Sequence, residues 1–306
     1  MHEQPYDVLV VGGTGVDTIV RVDALEVPPG DSLYVPPVRD YVGHTGNGVA
    51  LGWHALGLAT KFIDFLGDDV QGRTVLAAYA EHGLDFSHVL SPHGTPRGIN
   101  LVDPQGRRFS FYDGRHPADL RLPRPFYLPF LERARHVHLS IVGHNRDMYE
   151  DVHRLEITSS TDLHDWDGRD PHHRDYALAS DYVFLSAAAL GSRLEEVMRG
   201  IVGEGRARLV VATAGAAGCH LLVRGEEKVR HFPAVRPERP VVDTNGAGDA
   251  FVTAFLHALF EGRGVEECVL AGSVAGAFVC GSAGTHTAFI GPEELRAACA
   301  RAVHDA

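Results

Sequence analysis

The sequence predicts an α/β fold built on one doubly wound, mostly parallel sheet. Short apolar runs alternate with stretches of helical spacing over most of the 306 residues, as expected of strands covered on both faces by crossover helices. Two stretches break that alternation. Thr18 to Tyr41, with a VPPGD turn at 27–31, and Arg97 to Gly114, alternating around DPQG, read as hairpins. Projecting from the core, they would form a small separate sheet, a lid over about 18–42 and 97–114. The alternative is that they are edge strands of the main sheet.

The elements follow in order. Asp7 to Val11 (DVLVV), stopped by Gly12 and Gly13, is a buried strand. Val49, Ala50, Trp53 and Leu56 fall at helical spacing, with Gly57 placed for a left-handed cap. Thr60 to Leu66 is a strand closed by Gly67. Asp69 is placed to cap a helix whose stripe of Val75, Leu76 and Tyr79 ends at Gly83. The alternation resumes with a strand over Val137 to Val142, a helix around Asp147 to Leu155, and strands over Ile157 to Leu163 and Tyr182 to Leu185. A helix near Ser192 to Val202 and a strand over Leu209 to Thr213 come next. Three helices follow: Ala250 to Glu261, Val265 to Val279, and one with Pro292 at its start and Glu293 and Glu294 in its first turn. Asp162 to Asp175 (DLHDWDGRDPHHRD) reads as the most polar loop.

Composition narrows the classes. Hydrophobic content of 44% and charged content of 22% are those of a soluble globular protein, and a single domain over 1–306 accounts for most of the chain. No apolar run approaches the roughly 20 residues a bilayer requires. The opening residues hold no basic segment or cleavage site, so the protein is expected to be cytoplasmic. A formal charge of −12 disfavours nucleic acid, whose binding relies on clustered Lys and Arg. Cys219, Cys268, Cys280 and Cys299 lie far apart, as reduced thiols do. His136 and His138 would share a strand face and offer two metal ligands, yet no third is placed, and scattered surface histidines are the default.

The chemistry concentrates in VVDTNGAGDAFVTAFLHALF, Val241 to Phe260, where Gly246, Ala247, Gly248 and Asp249 precede an almost wholly apolar helix. The first N–H groups of a helix lack intrahelical partners and its dipole favours negative charge there. Small residues let an anion approach those groups, which is the recipe for a phosphate site. A carboxylate at such a site repels phosphate unless it has a task, such as taking the proton from an attacking hydroxyl. The alternative is that Asp249 caps the helix and the glycines make a tight turn.

VVDTNGAGDAF closely resembles the signature of the PfkB, or ribokinase-like, family of carbohydrate and nucleoside kinases. GGTGVD (12–17), PPGD (28–31), GHTGNGVALGWHALG (43–57), GDDVQG (67–72) and TAGAAG (213–218) fall in the family's order, so the likeness spans nearly the whole chain. The resemblance implies a Rossmann-like core with a β-sheet lid that uses Mg2+ and ATP to phosphorylate a hydroxyl, usually a primary CH2OH, of a sugar or nucleoside. It implies that Asp249 is the base, that Gly246, Ala247 and Gly248 form the anion hole, and that Asp17 holds substrate hydroxyls. Thr213, Gly215 and Gly218, with Thr244 and Asn245, fall at the nucleotide, and Asp243 begins a loop that in some members holds a monovalent cation such as K+. The Asn of DTNGAGD resembles that of nucleoside-phosphorylating members, while no aromatic clamp for a base is evident. Family lids sometimes pair between subunits, so a homodimer through the lid is consistent with the alternating Phe109 and Phe111.

Two departures matter. Where many relatives read G-G-x-G-A-N-x-A, this chain has Gly43, His44, Thr45, Gly46, Asn47, Gly48, Val49 and Ala50. Gly43, His44, Gly46 and Asn47 are therefore expected to contact a somewhat different polyol, Asn47 alternatively capping its helix. Where the family carries N-x-x-E for magnesium, the residues are Ser186, Ala187, Ala188 and Ala189. Either Glu195 or Glu196 substitutes, or the metal is held by nucleotide and water, or activity is poor. The gap keeps open a nucleotide- or nucleoside-binding regulatory protein that no longer catalyses. A dinucleotide oxidoreductase is disfavoured, because VVGGTGVD puts Thr18 where the third fingerprint glycine belongs.

Overall fold

The computed structural model describes residues 5–26, 30–104 and 108–304. The tips of the two expected turns, 27–29 and 105–107, lie outside the described residues. The chain begins β1 (Tyr6–Val11), β2 (Gly15–Arg21), β3 (Arg39–Gly43), α1 (Thr45–Ala55), β4 (Thr60–Gly67), α2 (Val70–His82), β5 (Asp85–Ser91), β6 (Arg97–Val102) and β7 (Arg108–Asp113). It continues α3 (Arg124–Leu131), β8 (Ala134–Leu139), α4 (Met148–Arg154), β9 (Thr158–Asp162), α5 (Pro171–Ala179), β10 (Tyr182–Ser186) and α6 (Leu194–Glu204). Last come β11 (Leu209–Thr213), β12 (Cys219–Val223), β13 (Arg230–Phe232), α7 (Ala247–Phe260), α8 (Val265–Val279) and α9 (Pro292–His304).

One sheet runs β13-β12-β11-β10-β9-β8-β1-β4-β5 and a second runs β3-β2-β6-β7. From β11 to β5 neighbours pair in parallel, while β12 and β13 add an antiparallel edge. The side chains of β1 alternate strictly between the two faces. Val8 and Val10 join a core with Trp53, Phe62, Phe184 and Phe255 from the side of α1 and α7. Leu9 and Val11 join Leu131, Leu139, Met148 and Tyr176 on the other. Burying each such side chain fully is worth about 1.5–3 kcal/mol, so both faces are held by packing.

The two hairpin stretches form the small separate sheet: β2 pairs with β3 and β6 with β7 antiparallel, and β2 runs parallel to β6. The expected caps are present. Asp69 accepts from the Gly72 amide at 2.8 Å, and Gly83 ends α2 in a left-handed conformation at φ 69°.

Other boundaries moved. The strand expected over Val137 to Val142 is β8, three residues earlier, because after Leu139 the chain leaves the sheet at Ser140. The last five residues of the expected polar loop, 171–175, open α5, which is started by Asp170, accepting from His172 N at 2.8 Å, and by Pro171 in the first turn. His136 and His138 are not surface residues. Both are buried, bonded to Thr158 and Ser160 hydroxyls at 2.8–2.9 Å, and desolvation pushes each imidazole down to about 3.

Candidate active site

The chain turns outward from β1 in opposite directions, to β4 on one side and β8 on the other, so β1 and β8 flank the topological switch point. Ligands of open α/β sheets bind outside the carboxyl ends of strands there. A cavity of about 1190 Å³ lies there, bounded by Gly13 after β1, Ser140 after β8, Asp162 ending β9, Ser186 ending β10 and Thr213 ending β11. Its far wall is the small sheet.

The N-terminus of α7 enters this cavity. Sequence reasoning started the helix at Ala250, whereas it starts at Ala247, capped by Gly246 in the left-handed region at φ 79°. Asp249 therefore sits inside the first turn, where the helix dipole favours a carboxylate, and Gly246, Ala247, Gly248 and Asp249 all line the cavity. Asp249 Oδ2 lies 2.7 Å from His286 Nε2, and both side chains are largely buried.

On the small-sheet side, Asp17 projects from β2 between two glycines. A Cβ at Gly43 or Gly98 would fall within 2.3 Å of its carboxylate oxygens, so the strands can flank it only without side chains. His44 Nε2 lies 3.5 Å from Asp17 Oδ1, and its ring packs 5.3 Å from that of Tyr112. His44 holds φ 69°, ψ 161°, a region tolerated almost only by glycine, at a cost of order 1–3 kcal/mol. Burial lowers its pKa, with Asp17 opposing the effect. Asn100 and Ser110, bonded at 2.5 Å, complete the polar wall.

The other expected residues divide. Thr213, Gly215, Gly218 and Thr244 line the end of the cavity formed with Ala234 to Pro237 and α8 residues Ser273, Gly276 and Ala277. Gly43 and Gly46, expected at the acceptor, make room there, Gly43 for the Asp17 carboxylate and Gly46 for the backbone of Gly12. Asn47 neither caps α1 nor stands at the surface of the cavity: it is fully buried, with its amide nitrogen 3.0 Å from His286 Nδ1. Asn245 is buried and borders, with Gly48, Asp249 and His286, a void of about 20 Å³ behind the helix start. Asp243, expected at a monovalent cation, accepts from Arg21 of β2 at 3.0 Å, the Gly284 amide at 3.3 Å and the Asn245 amide at 3.1 Å. A guanidinium of the small sheet occupies that carboxylate.

Residues that sequence reasoning missed are Asp162, Arg236 and His286. Asp162 is buried, and desolvation raises its pKa, with Asp249 adding repulsion. In the sequence it stood only near the end of an expected strand and at the start of the expected polar loop. Glu195, a considered substitute for the missing metal carboxylate, is exposed and pairs with Arg199 at 2.6 Å. Among the described residues lining the cavity, Asp17, Asp162, Asp165 and Asp249 face a single guanidinium, Arg236. No group of three or more His, Cys, Asp or Glu among the described residues is arranged to hold a metal alone.

A cleft at the switch point, a helix N-terminus open to an anion and a carboxylate beside it belong to the class of phosphotransferases that act on an alcohol. A family model described as pfkB family carbohydrate kinase matches residues 6–290, and the chain belongs to that family. The family implies ATP as phosphoryl donor and usually Mg2+. Among relatives, the acarbose 7(IV)-phosphotransferase of Actinoplanes sp. is 47% identical over 90% of this chain and 92% of its own. The fructoselysine 6-kinase of Escherichia coli is 28% identical over 80% and 92%. Among solved structures, a microbiome-derived acarbose kinase, Mak1, superposes with a TM-score of 0.91 at 46% identity, over 98% of this chain and 100% of that one. The ribokinase of Thermotoga maritima shares the fold at a TM-score of 0.78 and 20% identity, over 96% and 99%. The protein is an ATP-dependent sugar kinase. No helix among the described residues is long and apolar enough to cross a membrane.

Proposed function

We propose that this kinase phosphorylates a hydroxymethyl group on an acceptor of several rings, of which acarbose is the model. The position of Asp249 carries the reading: it lies between the polar wall of Asp17, His44 and Asn100 and the glycine-lined end at Thr213 to Gly218. Asp17 and His44 bind the acceptor's hydroxyls, and Asp249 takes the proton of the attacking one. The amides at the start of α7 receive the phosphate's charge without reorganising. A volume of about 1190 Å³ exceeds the roughly 300–1,000 Å³ of ordinary ligand pockets and admits nucleotide and a large acceptor together. Relatives named for acarbose at 46–47% identity support that acceptor.

Four cavity carboxylates against one guanidinium oppose the nucleotide's phosphates. Mg2+ fits as an ion arriving with those phosphates, Asp162 and Asp165 being the nearby acidic residues that would face its waters. Bound there, it would neutralise the transferring group. The Arg21–Asp243 pair ties the small sheet to the anion loop. The exposed Ile99, Phe109 and Phe111 support a homodimer through that sheet's outer face.

The test is ADP release with Mg-ATP and acarbose, monosaccharides or nucleosides, with the phosphorylated position read by NMR. Turnover on acarbose at a hydroxymethyl group supports the reading. Turnover confined to nucleosides or to single sugars overturns it.

A further inference from the structure

Asp249 does not stand alone. His286, on the segment between α8 and α9, presents Nε2 to Asp249 Oδ2 at 2.7 Å, and behind it the Asn47 amide nitrogen meets Nδ1 at 3.0 Å. The same amide nitrogen is 3.3 Å from the Val42 carbonyl, which can only accept. That contact fixes the orientation of the amide, so Asn47 donates to Nδ1 and the ring carries its proton on Nε2, aimed at the carboxylate.

Packing shows that the pair is built for. A Cβ at Gly48 would lie 2.3 Å from His286 Nε2 and 2.6 Å from Asp249 Oδ2, and one at Gly246 would lie 2.9 Å from the ring. His286 itself holds φ 53°, a left-handed conformation that costs a non-glycine residue energy and persists where surroundings enforce it.

We propose that His286 is a positioning residue for the base: locked in one tautomer by Asn47, it holds Oδ2 of Asp249 so that Oδ1 meets the acceptor hydroxyl. The proposal rests on Asp249 being the base. In the step, the acceptor oxygen bonds to the γ-phosphorus, the bond to the ADP oxygen breaks, and the hydroxyl proton passes to Oδ1. His286 keeps its own proton throughout. The arrangement resembles an Asp–His pair with the roles exchanged, the carboxylate acting and the imidazole orienting.

Four variants assayed with acarbose and Mg-ATP, each checked by thermal unfolding, test this. His286→Ala is expected to lower kcat by about 10- to 100-fold with both KM values little changed. His286→Gln, whose amide nitrogen reaches the place of Nε2, restores most of kcat. Asn47→Leu lowers kcat alone and adds nothing on top of His286→Ala, the signature of two residues acting as one unit. Asp249→Asn reports on the base itself: if it turns over normally, the underlying reading has failed. If it is inactive while His286→Ala keeps parental kcat, or if Gln is as damaging as Ala in folded protein, the positioning role is overturned.

Discussion

A carboxylate that collects a proton and one that grips hydroxyls fail differently when removed. Asp249→Asn keeps the size of the side chain and removes its basicity, so kcat should drop by about 10²-fold or more while acceptor KM moves little, as steady-state kinetics will show. Asp17→Ala removes an acceptor whose room is secured by Gly43 and Gly98. It should raise acceptor KM first and broaden the range of sugars accepted, measured over an acceptor panel. Both carboxylates were singled out in the sequence, Asp249 from the glycine-led start of an apolar helix and Asp17 from the family resemblance of GGTGVD. His286 was not: it lies 37 residues from Asp249 along the chain and meets it only in space. Asn47 was legible as a residue of interest but not in its role, since a one-place shift along α1 sends its side chain under His286.

At the scale of elements, the start of α7 decides the site. Propensity placed it at Ala250, after the glycines; the helix begins three residues earlier because Gly246 supplies a left-handed cap and Asp249 complements the dipole. Close packing of α1 on α7 makes Gly48 a test of this junction. Gly48→Ala drives a methyl into the Asp249–His286 contact, so kcat should fall at least tenfold, on the scale of a misplaced reacting group, while a calorimetric scan still shows a cooperative transition. The central strands β1, β4, β10 and β11 were read well from their apolar runs. The edge strand β5 and helix α5 were not, since half-exposed elements carry mixed polarity.

For the whole molecule, the buried pair His136 and His138 links stability to pH. Each imidazole is neutral when folded, with its pKa lowered to about 3, against 6.5 when unfolded. Between those values the unfolded chain binds more protons, so stability is complete above pH 6.5 and declines as pH falls toward 3. The loss approaches about 1 kcal/mol per histidine for each pH unit, and Tm should drop measurably from pH 7 to 5. His138→Gln should flatten that slope. On the proposed acceptor, acarbose with a non-hydrolysable ATP analogue should raise Tm at pH 7, since a ligand that binds only the folded state stabilises it, and an unchanged Tm counts against that acceptor. The sequence by itself determined the α/β class, the order of most elements and the glycine-led segment ahead of α7, and it singled out Asp17 and Asp249, because local periodicity and short motifs carry that much. Only the tertiary structure decided which face of α1 meets α7, what stands behind Asp249 and which charge occupies Asp243. Those outcomes depend on packing between segments distant along the chain, and no local pattern encodes a contact that both partners must reach across the fold.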